Sequence, residues 1–533
     1  MEVDCIPFSE TGYFSKIVND YLEESEKIKP FYQYSPKLDS FSEVIKNKQF
    51  PKESREVLVA SLIKQYENGK LNLKKFDAVS TNIYVLNDPN TFTITTGHQL
   101  CLFTGPLYFI YKIVSVIKLC KRLKELHPEK NFVPIYWMAT EDHDFAEVNH
   151  FFYQGERISW DTEQKGAVGR MNLDGLDSVF KLFEKSLEDY SGNAENLKKL
   201  FRDSYLKNST LAAATRNLVN QLFSDQGLVV LDGDDHFLKA EFSSVMKDEL
   251  LNEISSKLVG DTSQKLGKSY KIQVNPREIN LFYLQENARN RIVKDGETYK
   301  IHDTELVFSE VELLSELELH PENFSPNVLL RPVYQECILP NLAYIGGGGE
   351  LAYWFQLKSS FVHFDIPMPV LLLRNSVMFM NSKQHKYFMN LNLSLGQLFI
   401  RKGDLIKKWL VDSASEDLLL LKEKEKLNKL FDSMIDKMQA IDASLTEHTK
   451  ASKVKQLKAL NSISDKLIRT KRKQSETATN QISYLKDKLF PNEGLQERRD
   501  NFSLIYMQLG EDFIPRLLEE LKLPTKDFTV LKT

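Results

Sequence analysis

Thr91-Phe-Thr-Ile-Thr-Thr-Gly-His-Gln-Leu-Cys-Leu-Phe-Thr-Gly-Pro-Leu-Tyr108 is the stretch from which the fold can be read. Its first six residues are β-branched or aromatic, as in a strand, and Gly97 closes them. A loop from Gly97 to Gly105 follows. Pro106 then opens a helix, at a position where its missing N–H costs nothing. Leu107, Ile110, Val114, Ile117 and Lys121 recur at helical spacing. After His127-Pro128, the run Phe132-Val-Pro-Ile-Tyr-Trp-Met-Ala139 reads as a second buried strand. Strand, helix and strand in this order imply parallel pairing through a right-handed crossover.

Working outward, similar units recur. Leu228-Val-Val-Leu231 ahead of Asp232-Gly-Asp-Asp235 is a strand and its loop. Leu342-Ala-Tyr-Ile345 is a short strand turned by Gly346–Gly349; Glu350–Val362 can be helical, and Pro369-Val-Leu-Leu-Leu373 is strand-like. The alternation predicts an α/β fold, an open and mostly parallel sheet with helices on both faces. Residues 1–90 read as a mostly helical segment packing on a core that spans 91–390. The core carries a helical insertion at about 151–227 and a β-containing one at about 270–325, with Asp295-Gly296 as a hairpin turn. From about Leu418 the pattern changes. Leu427, Phe431, Met434, Met438, Ile441 and Leu445 alternate spacings of four and three, a coiled-coil seam. A break is expected at His448–Lys453, followed by a second helix from about Val454 to Leu489. Residues 391–495 thus read as an antiparallel helical hairpin, and 496–533 as a segment returning to the core.

The totals narrow the function. A chain of 533 residues exceeds one compact core, and 42% apolar with 27% charged residues is ordinary globular composition. A net charge of −4 gives no bulk attraction to nucleic acid or anionic lipid. The start, Met1-Glu-Val-Asp-Cys-Ile-Pro-Phe8, lacks the basic and apolar regions of a secretory signal. The most membrane-like run, Leu107–Cys120, is interrupted by Lys112 and Lys118. The cysteines (Cys5, Cys101, Cys120, Cys337) show neither a disulfide framework nor zinc spacing. A cytoplasmic location is expected, with no membrane partner. The basic segment Lys450–Lys473 has no interleaved aromatic until Tyr484, so it reads as a solvated helix face, and nucleic acid is not expected as a partner.

Ligands of parallel sheets bind beyond the carboxyl ends of strands, and two such ends are rich in chemistry. The loop from Gly97 through His98 and Gln99 to Thr104, Gly105 and Pro106 precedes a helix N-terminus, where free amides suit a phosphate or carboxylate. Tyr108 and Lys112 share one face of that helix, and an anion would explain a cation so near its start. The other end is Thr140-Glu-Asp-His-Asp-Phe-Ala-Glu-Val-Asn-His150. Glu141, Asp142, His143 and Asp144 directly after a buried strand need partners. They could hold magnesium, act as a general base, or bind an amine and hydroxyls; an acid-decorated helix start is the plainer reading. The Gly346–Gly349 run matches neither the P-loop nor the dinucleotide fingerprint. Asp232–Asp235 is explained as well by surface turn chemistry, and Cys101 reads as an inert buried thiol.

Taken together, Thr96–Tyr108 with Tyr111-Lys112, Pro134–Phe145 with Glu147-Val-Asn-His150, and Leu330-Arg-Pro-Val-Tyr-Gln-Glu336 with Leu339–Trp354 and Arg374-Asn375 resemble the bacillithiol biosynthesis cysteine-adding enzymes. The blocks occur in family order over essentially the whole chain. Many relatives carry Gln at His98, a small residue at Cys101 and, in some, alanine at Gly346. The resemblance implies a Rossmann-like core with inserted segments and a coiled-coil hairpin used for homodimerisation. It also implies the joining of cysteine's carboxyl group to the amine of glucosaminyl-malate. A carboxylate is a poor electrophile, so ATP or another nucleotide, with Mg2+, is expected as activator; any further metal is left open. On this reading the 97–106 loop with Tyr108 and Lys112 holds an anion. Asp142, His143 and Asp144, with Glu141 and Asn149, handle the sugar amine and hydroxyls. Asn341, Gly347, Gly348, Gly349, Glu350, Trp354, Arg374 and Asn375 complete the crevice. Competing readings are a metal-dependent hydrolase using Glu141–Asp144, a nucleotide-binding coiled-coil interaction protein, and a tRNA-dependent aminoacyl transferase.

Overall fold

The computed structural model describes residues 2–69, 73, 77–187, 192–442 and 444–532. Parts of the N-terminal helical segment (70–72, 74–76) and of the helical insertion (188–191) lie outside the described residues. The chain forms two compact units, one of residues 3–378 and 497–530, the other of residues 379–496 with a few residues from the extreme ends.

The first unit is built on five strands: β1 (Thr91–His98), β2 (Asn131–Met138), β3 (Val229–Asp232), β4 (Asn341–Gly346) and β5 (Val370–Leu373). They lie in the order β5-β4-β1-β2-β3, every pair parallel. The chain builds outward from β1 to β3, then returns to the other side of β1 for β4 and β5. This is a Rossmann-like arrangement, and its direction reverses between β1 and β4. Such a reversal leaves a crevice beyond the strand ends.

β1 is buried along its whole length although half of it is threonine. The hydroxyls are satisfied by β4: Thr93 and Thr95 donate to Asn341 Oδ1 (3.2 and 2.9 Å), and Thr96 donates to the Ile345 carbonyl (2.7 Å). Between these threonines, Phe92 and Ile94 enter a core with Leu342, Ile345, Val370 and Leu372. Helix α1 (Tyr108–Leu126) supplies Val116, Leu119 and Leu123 to the same core, and the helix Ser40–Asn47 supplies Phe41 and Val44. Each such side chain contributes roughly 1.5–3 kcal/mol on burial. Tyr108, not Pro106, begins the regular helix, since the Leu107 amide is held by the Asp500 carbonyl at 2.8 Å.

The β-containing insertion is a five-stranded antiparallel sheet within residues 281–326. Asp295-Gly296 turns one of its hairpins, with Gly296 at φ +63°. A helix read as continuous from Glu350 to Val362 is two: α3 (Gly348–Trp354) and Lys358–His363. Between β3 and β4 also lies α2 (Arg331–Ile338), started by Pro332.

The second unit begins at Phe379, ahead of the boundary at 390 expected from sequence. The helix Ser382–Asn390 belongs with the hairpin because Tyr387 sits edge-on to Tyr484 at 5.7 Å. The hairpin arms are Leu421–Ile441 and Ser444–Gln474, continued by Glu476–Leu489. Its first arm therefore ends at Ile441, and His448–Lys453 lies inside a helix instead of breaking one. Asp442, which accepts the Ser444 amide at 2.8 Å, ends the arm; within 448–453, Lys450, Ala451 and Lys453 favour a helix and Thr449 is buried. Lys453 pairs across the hairpin with Asp432 at 2.6 Å.

Candidate functional site

The carboxyl ends of β1, β2 and β4 open onto a cavity of about 630 Å3, at the reversal of strand order. Gly97, His98, Gln99, Tyr108, Lys112, Glu141, Asp142 and Glu350 all line it, so the two loops singled out from sequence do share one crevice. The antiparallel insertion forms the opposite wall with Phe282, Arg289 and Pro326.

Lys112 is almost fully buried. Its Nζ donates to the Gly97 carbonyl at 2.7 Å and meets Glu350 Oε2 at 2.6 Å. Glu350 in turn accepts from the Gly347 amide (2.8 Å) and the Tyr344 hydroxyl (2.6 Å). Burial opposes the charge on both groups and draws the Lys112 pKa down; for Glu350 it is outweighed by the Lys112 charge, which holds the carboxyl below its usual range. The pair is internal, so Lys112 is not a free cation awaiting an anion.

The loop amides assigned to an anion are engaged as well. The Phe103 amide donates to Tyr205 Oη (2.8 Å) and the Gly105 amide to the Leu102 carbonyl (2.9 Å), while Asn501 Nδ2 bonds the Phe103 and Gly105 carbonyls (2.7 and 2.6 Å). Thr104, Gly105 and Pro106 are therefore a structural clamp outside the cavity lining. Gly105 is required there: φ is +60°, and a Cβ would stand 2.6 Å from Cys101 Cβ. The Cys101 thiol is pushed up to about 12 by burial, as suits an inert side chain.

The acidic loop disperses. Asp142 accepts Gln99 Nε2 at 2.7 Å and, through Oδ1, the His143 amide at 2.7 Å. Glu141 turns to Lys239 at 2.6 Å. His143 is half exposed beside the cavity, with Nδ1 3.1 Å from Arg289 Nη1. Since an arginine only donates, Nδ1 accepts and the neutral ring carries its proton on Nε2. Burial and then the Arg289 charge lower the His143 pKa, which keeps the ring neutral. His143 is thus placed as a donor, where the sequence left the base open between it and a neighbouring acid. Asp144 lies outside the lining, its amide 3.3 Å from Asp142 Oδ1, and Asn149 is occupied with Arg157 at 3.3 Å. Among the described residues, no group of three or more His, Cys, Asp or Glu converges as a metal site. The metal-dependent hydrolase reading therefore loses its ligand set.

Several residues expected in the crevice are structural. Asn341 cross-links the threonines of β1 and donates to Glu336 at 2.6 Å. Trp354 is buried, stacked on Tyr344 at 4.5 Å. Arg374 forms a buried bidentate pair with Glu497 (3.1 and 2.8 Å), and Asn375 bonds Ser115 (2.9 Å) and the Lys522 carbonyl (2.7 Å). Gly347 caps α3 through Glu350, while Gly348 and Gly349 face a separate pocket with Lys16 and Tyr270.

Other contributors were not singled out from sequence. Asp234, from the loop read as a plain turn, lies behind the lining and backs Glu141: Lys239 bridges Glu141 and Asp234 (3.1 Å), and Arg170 grips Asp234 with two bonds (2.8 and 2.9 Å). Burial pushes Asp232 up to about 6, whereas for Asp234 burial is outweighed by Lys239 and Arg170, which bring it down to about 2. His98, which the sequence did single out, lines the cavity with Nε2 unpartnered, and burial followed by the charges of Lys112 and Arg374 holds its pKa well below the usual value. Arg289 and Arg331 are brought in from far along the chain. For Arg331 a sequence signal existed: a cation at a proline-marked helix start opposes the helix dipole.

Residues 1–375 match the family model for the bacillithiol biosynthesis BshC N-terminal Rossmann-like domain, and residues 377–533 match the one for the BshC C-terminal coiled-coil domain. The chain belongs to the BshC family. BshC relatives resemble it along its full length. The "Putative cysteine ligase BshC" of Flavobacterium psychrophilum is 46% identical, over 100% of both chains. The proteins of that name from Flavobacterium johnsoniae and Christiangramia forsetii are 44% and 43% identical, over 100% of this chain and 100% and 99% of their own.

Two predictions follow from the geometry of this BshC site. Lys112→Met leaves Glu350 without its counter-ion and costs on the order of 2–3 kcal/mol, less than a fully enclosed pair because Glu350 is partly exposed. Adding Glu350→Gln restores most of that loss in urea unfolding; an equal loss in single and double variants would refute the pairing. Asp232 has a folded pKa above its ordinary value of 3.8, so its contribution to stability is complete below about pH 4 and declines as pH rises through about 6. Asp232→Asn, which keeps an acceptor for Thr140, should flatten that decline in melts taken across this range.

Proposed function

We infer that this protein is a cytoplasmic carbon–nitrogen ligase that joins the carboxyl group of cysteine to the amine of glucosaminyl-malate. The observation that carries the reading is the shared crevice, in which the carboxylates of Glu141 and Asp142 face the Lys112–Glu350 wall at the reversal of strand order. The substrates are those that the resemblance to the bacillithiol cysteine-adding enzymes implies.

The acceptor arrives largely as an ammonium and must lose a proton to attack. Asp142, held by Gln99 and lining the cavity, receives the ammonium and neighbouring hydroxyls. Glu141 is the better proton acceptor, because burial raises its pKa while Lys239 keeps its charge tolerable. His143 Nε2–H donates to a sugar hydroxyl. In the bond-forming step the amine nitrogen attacks the activated acyl carbon, the C–N bond forms, and the activating group leaves with the C–O electron pair. The first ammonium proton leaves to solvent as the amine docks on Asp142, and the proton shed by the nitrogen after attack passes to Glu141. Activation of the carboxyl group is assigned to ATP, with Mg2+ carried on its phosphates and not in a protein cage. The Phe103, Gly105 and Gly347 amides are already committed within the protein.

The hairpin is assigned to homodimerisation. Leu430, Ile441, Val454 and Ile463 are exposed on it, and Leu427, Leu430, Leu460 and Ile463 line an apolar groove. Such a stripe on a helical pair suits a second copy.

Purified protein incubated with cysteine, glucosaminyl-malate, ATP and Mg2+ is expected to yield the cysteinyl amide by mass spectrometry, with ADP or AMP reporting the activation route. Asp142→Asn should lower kcat/KM by roughly a hundredfold or more with an unchanged melting temperature. No amide from the wild type, or full activity in the variant, would count against the reading. Leu430→Lys with Ile463→Lys should convert a sedimenting dimer to monomer; an unaltered sedimentation coefficient would remove the hairpin from the interface.

A further inference from the structure

Four cationic side chains line the cavity: Lys112, Arg277, Arg289 and Arg331. Their commitments differ. Lys112 is neutralised by Glu350. Arg289 donates through all three nitrogens, to Ser325 Oγ (3.0 Å), His143 Nδ1 (3.1 Å) and the Pro326 carbonyl (3.1 Å). Arg277 is exposed at the rim. Arg331 is placed otherwise. Its Nη1 donates to Gln335 Oε1 at 3.0 Å and the guanidinium also interacts with the Tyr353 side chain, while Nη2 is buried with no hydrogen-bond partner. Among the described residues no carboxylate forms an ion pair with it; the nearby acid, Glu350, is committed to Lys112.

The guanidinium is nonetheless held firmly. It lies 5.8 Å from the Trp137 ring centre and 5.5 Å from that of Tyr344, between residues of β2 and β4. Aromatic faces stabilise a guanidinium while leaving its hydrogen-bonding edge free. The residue between these strands is Gly97, at the end of β1. A Cβ there would stand 3.6 Å from Arg331 Nη1 and 3.4 Å from Tyr344 Oη. The missing side chain keeps open the space beside the guanidinium. An enclosed cation with an unused donor calls for an anion, and an arginine fork fits a planar oxyanion best.

We propose that Arg331, and not Lys112, binds a carboxylate of the substrate, in the space kept open by Gly97. This deepens the ligase reading and rests on it only for the substrates' identity. The carboxylate has two sources there, cysteine and the malyl group of the acceptor, so the test separates them. L-malate, L-cysteine and inorganic phosphate are titrated calorimetrically into wild type, Arg331→Met, Arg331→Lys, Gly97→Ala and Arg277→Met proteins.

One of the two carboxylates is expected to bind wild type and to lose roughly ten- to a hundredfold in affinity in Arg331→Met, as for the loss of charge-assisted hydrogen bonds. Arg331→Lys should recover part of the affinity. Gly97→Ala, whose Cβ would make only ordinary contacts, should weaken binding with an unchanged melting temperature. Arg277→Met should bind as wild type does. Binding of phosphate alone, of none of the three, or equal binding by Arg331→Met overturns the proposal. If Arg331→Met loses the carboxylate while wild type makes no amide, the ligase reading fails and this inference stands. If wild type makes amide and Arg331→Met keeps the KM of both substrates, the inference fails and the ligase stands.

Discussion

A largely buried charged pair holds this crevice in shape. Lys112 projects from the second turn of α1, and Glu350 from the first turn of α3. Their contact at 2.6 Å ties the helix after β1 to the helix after β4, the two strands between which the sheet reverses. At that distance the attraction is many times what it would be in water. It balances the desolvation of both ions only because Gly97, Gly347 and Tyr344 satisfy the remaining hydrogen bonds. Any rotation of α3 would break several of these contacts together. The ends of β1 and β4 are therefore fixed relative to each other before a ligand arrives, which is the condition for a preorganised site.

Around this fixed seam the other charges fall into two kinds. Glu141, Lys239, Asp234 and Arg170 alternate in sign behind the lining and neutralise one another. Arg374 with Glu497, and Glu336 with Lys48, do the same within the scaffold. In a cavity so provided with counter-ions, the few polar atoms left over, His98 Nε2 and Arg331 Nη2, stand out. A site that compensates most of its charges internally confines recognition to the groups it leaves uncompensated.

The sheet was legible because its information is local. Thr91–Thr96 and Phe132–Ala139 carry strand composition over enough residues to dominate, and Pro106 and Gly97 mark their limits. The shared cavity followed, since strand polarity alone places both loops at one edge. What was misread depended on distant partners. Thr104–Pro106 resembles an anion loop until Asn501 and Tyr205 take up its backbone groups. Arg374 and Asn375 sit at a strand end, where ligands bind, but Glu497 and Lys522 reach them first. His143 has the composition of a base, and only Arg289, 146 residues away, fixes its tautomer. The hairpin turn was misplaced by a different cause: polarity at 448–453 reads as a break, whereas Lys450, Ala451 and Lys453 sustain the helix through it.

The clamp on the 103–107 segment has a consequence for how the molecule is made. Asn501 lies 398 residues beyond Phe103. At translation speeds of about 5–20 residues per second, the nascent polypeptide waits roughly 20–80 s between emergence of the loop and emergence of its anchor. Throughout that interval the loop's carbonyls must be served by water, and the aromatic ring of Phe103 lacks Phe502 among its neighbours. Ribosome-bound chains released short of this point would carry an assembled sheet and an unlatched crevice. In them the Phe103 and Gly105 carbonyls would have no Asn501 to bond and the Phe103 ring no Phe502 to pack on.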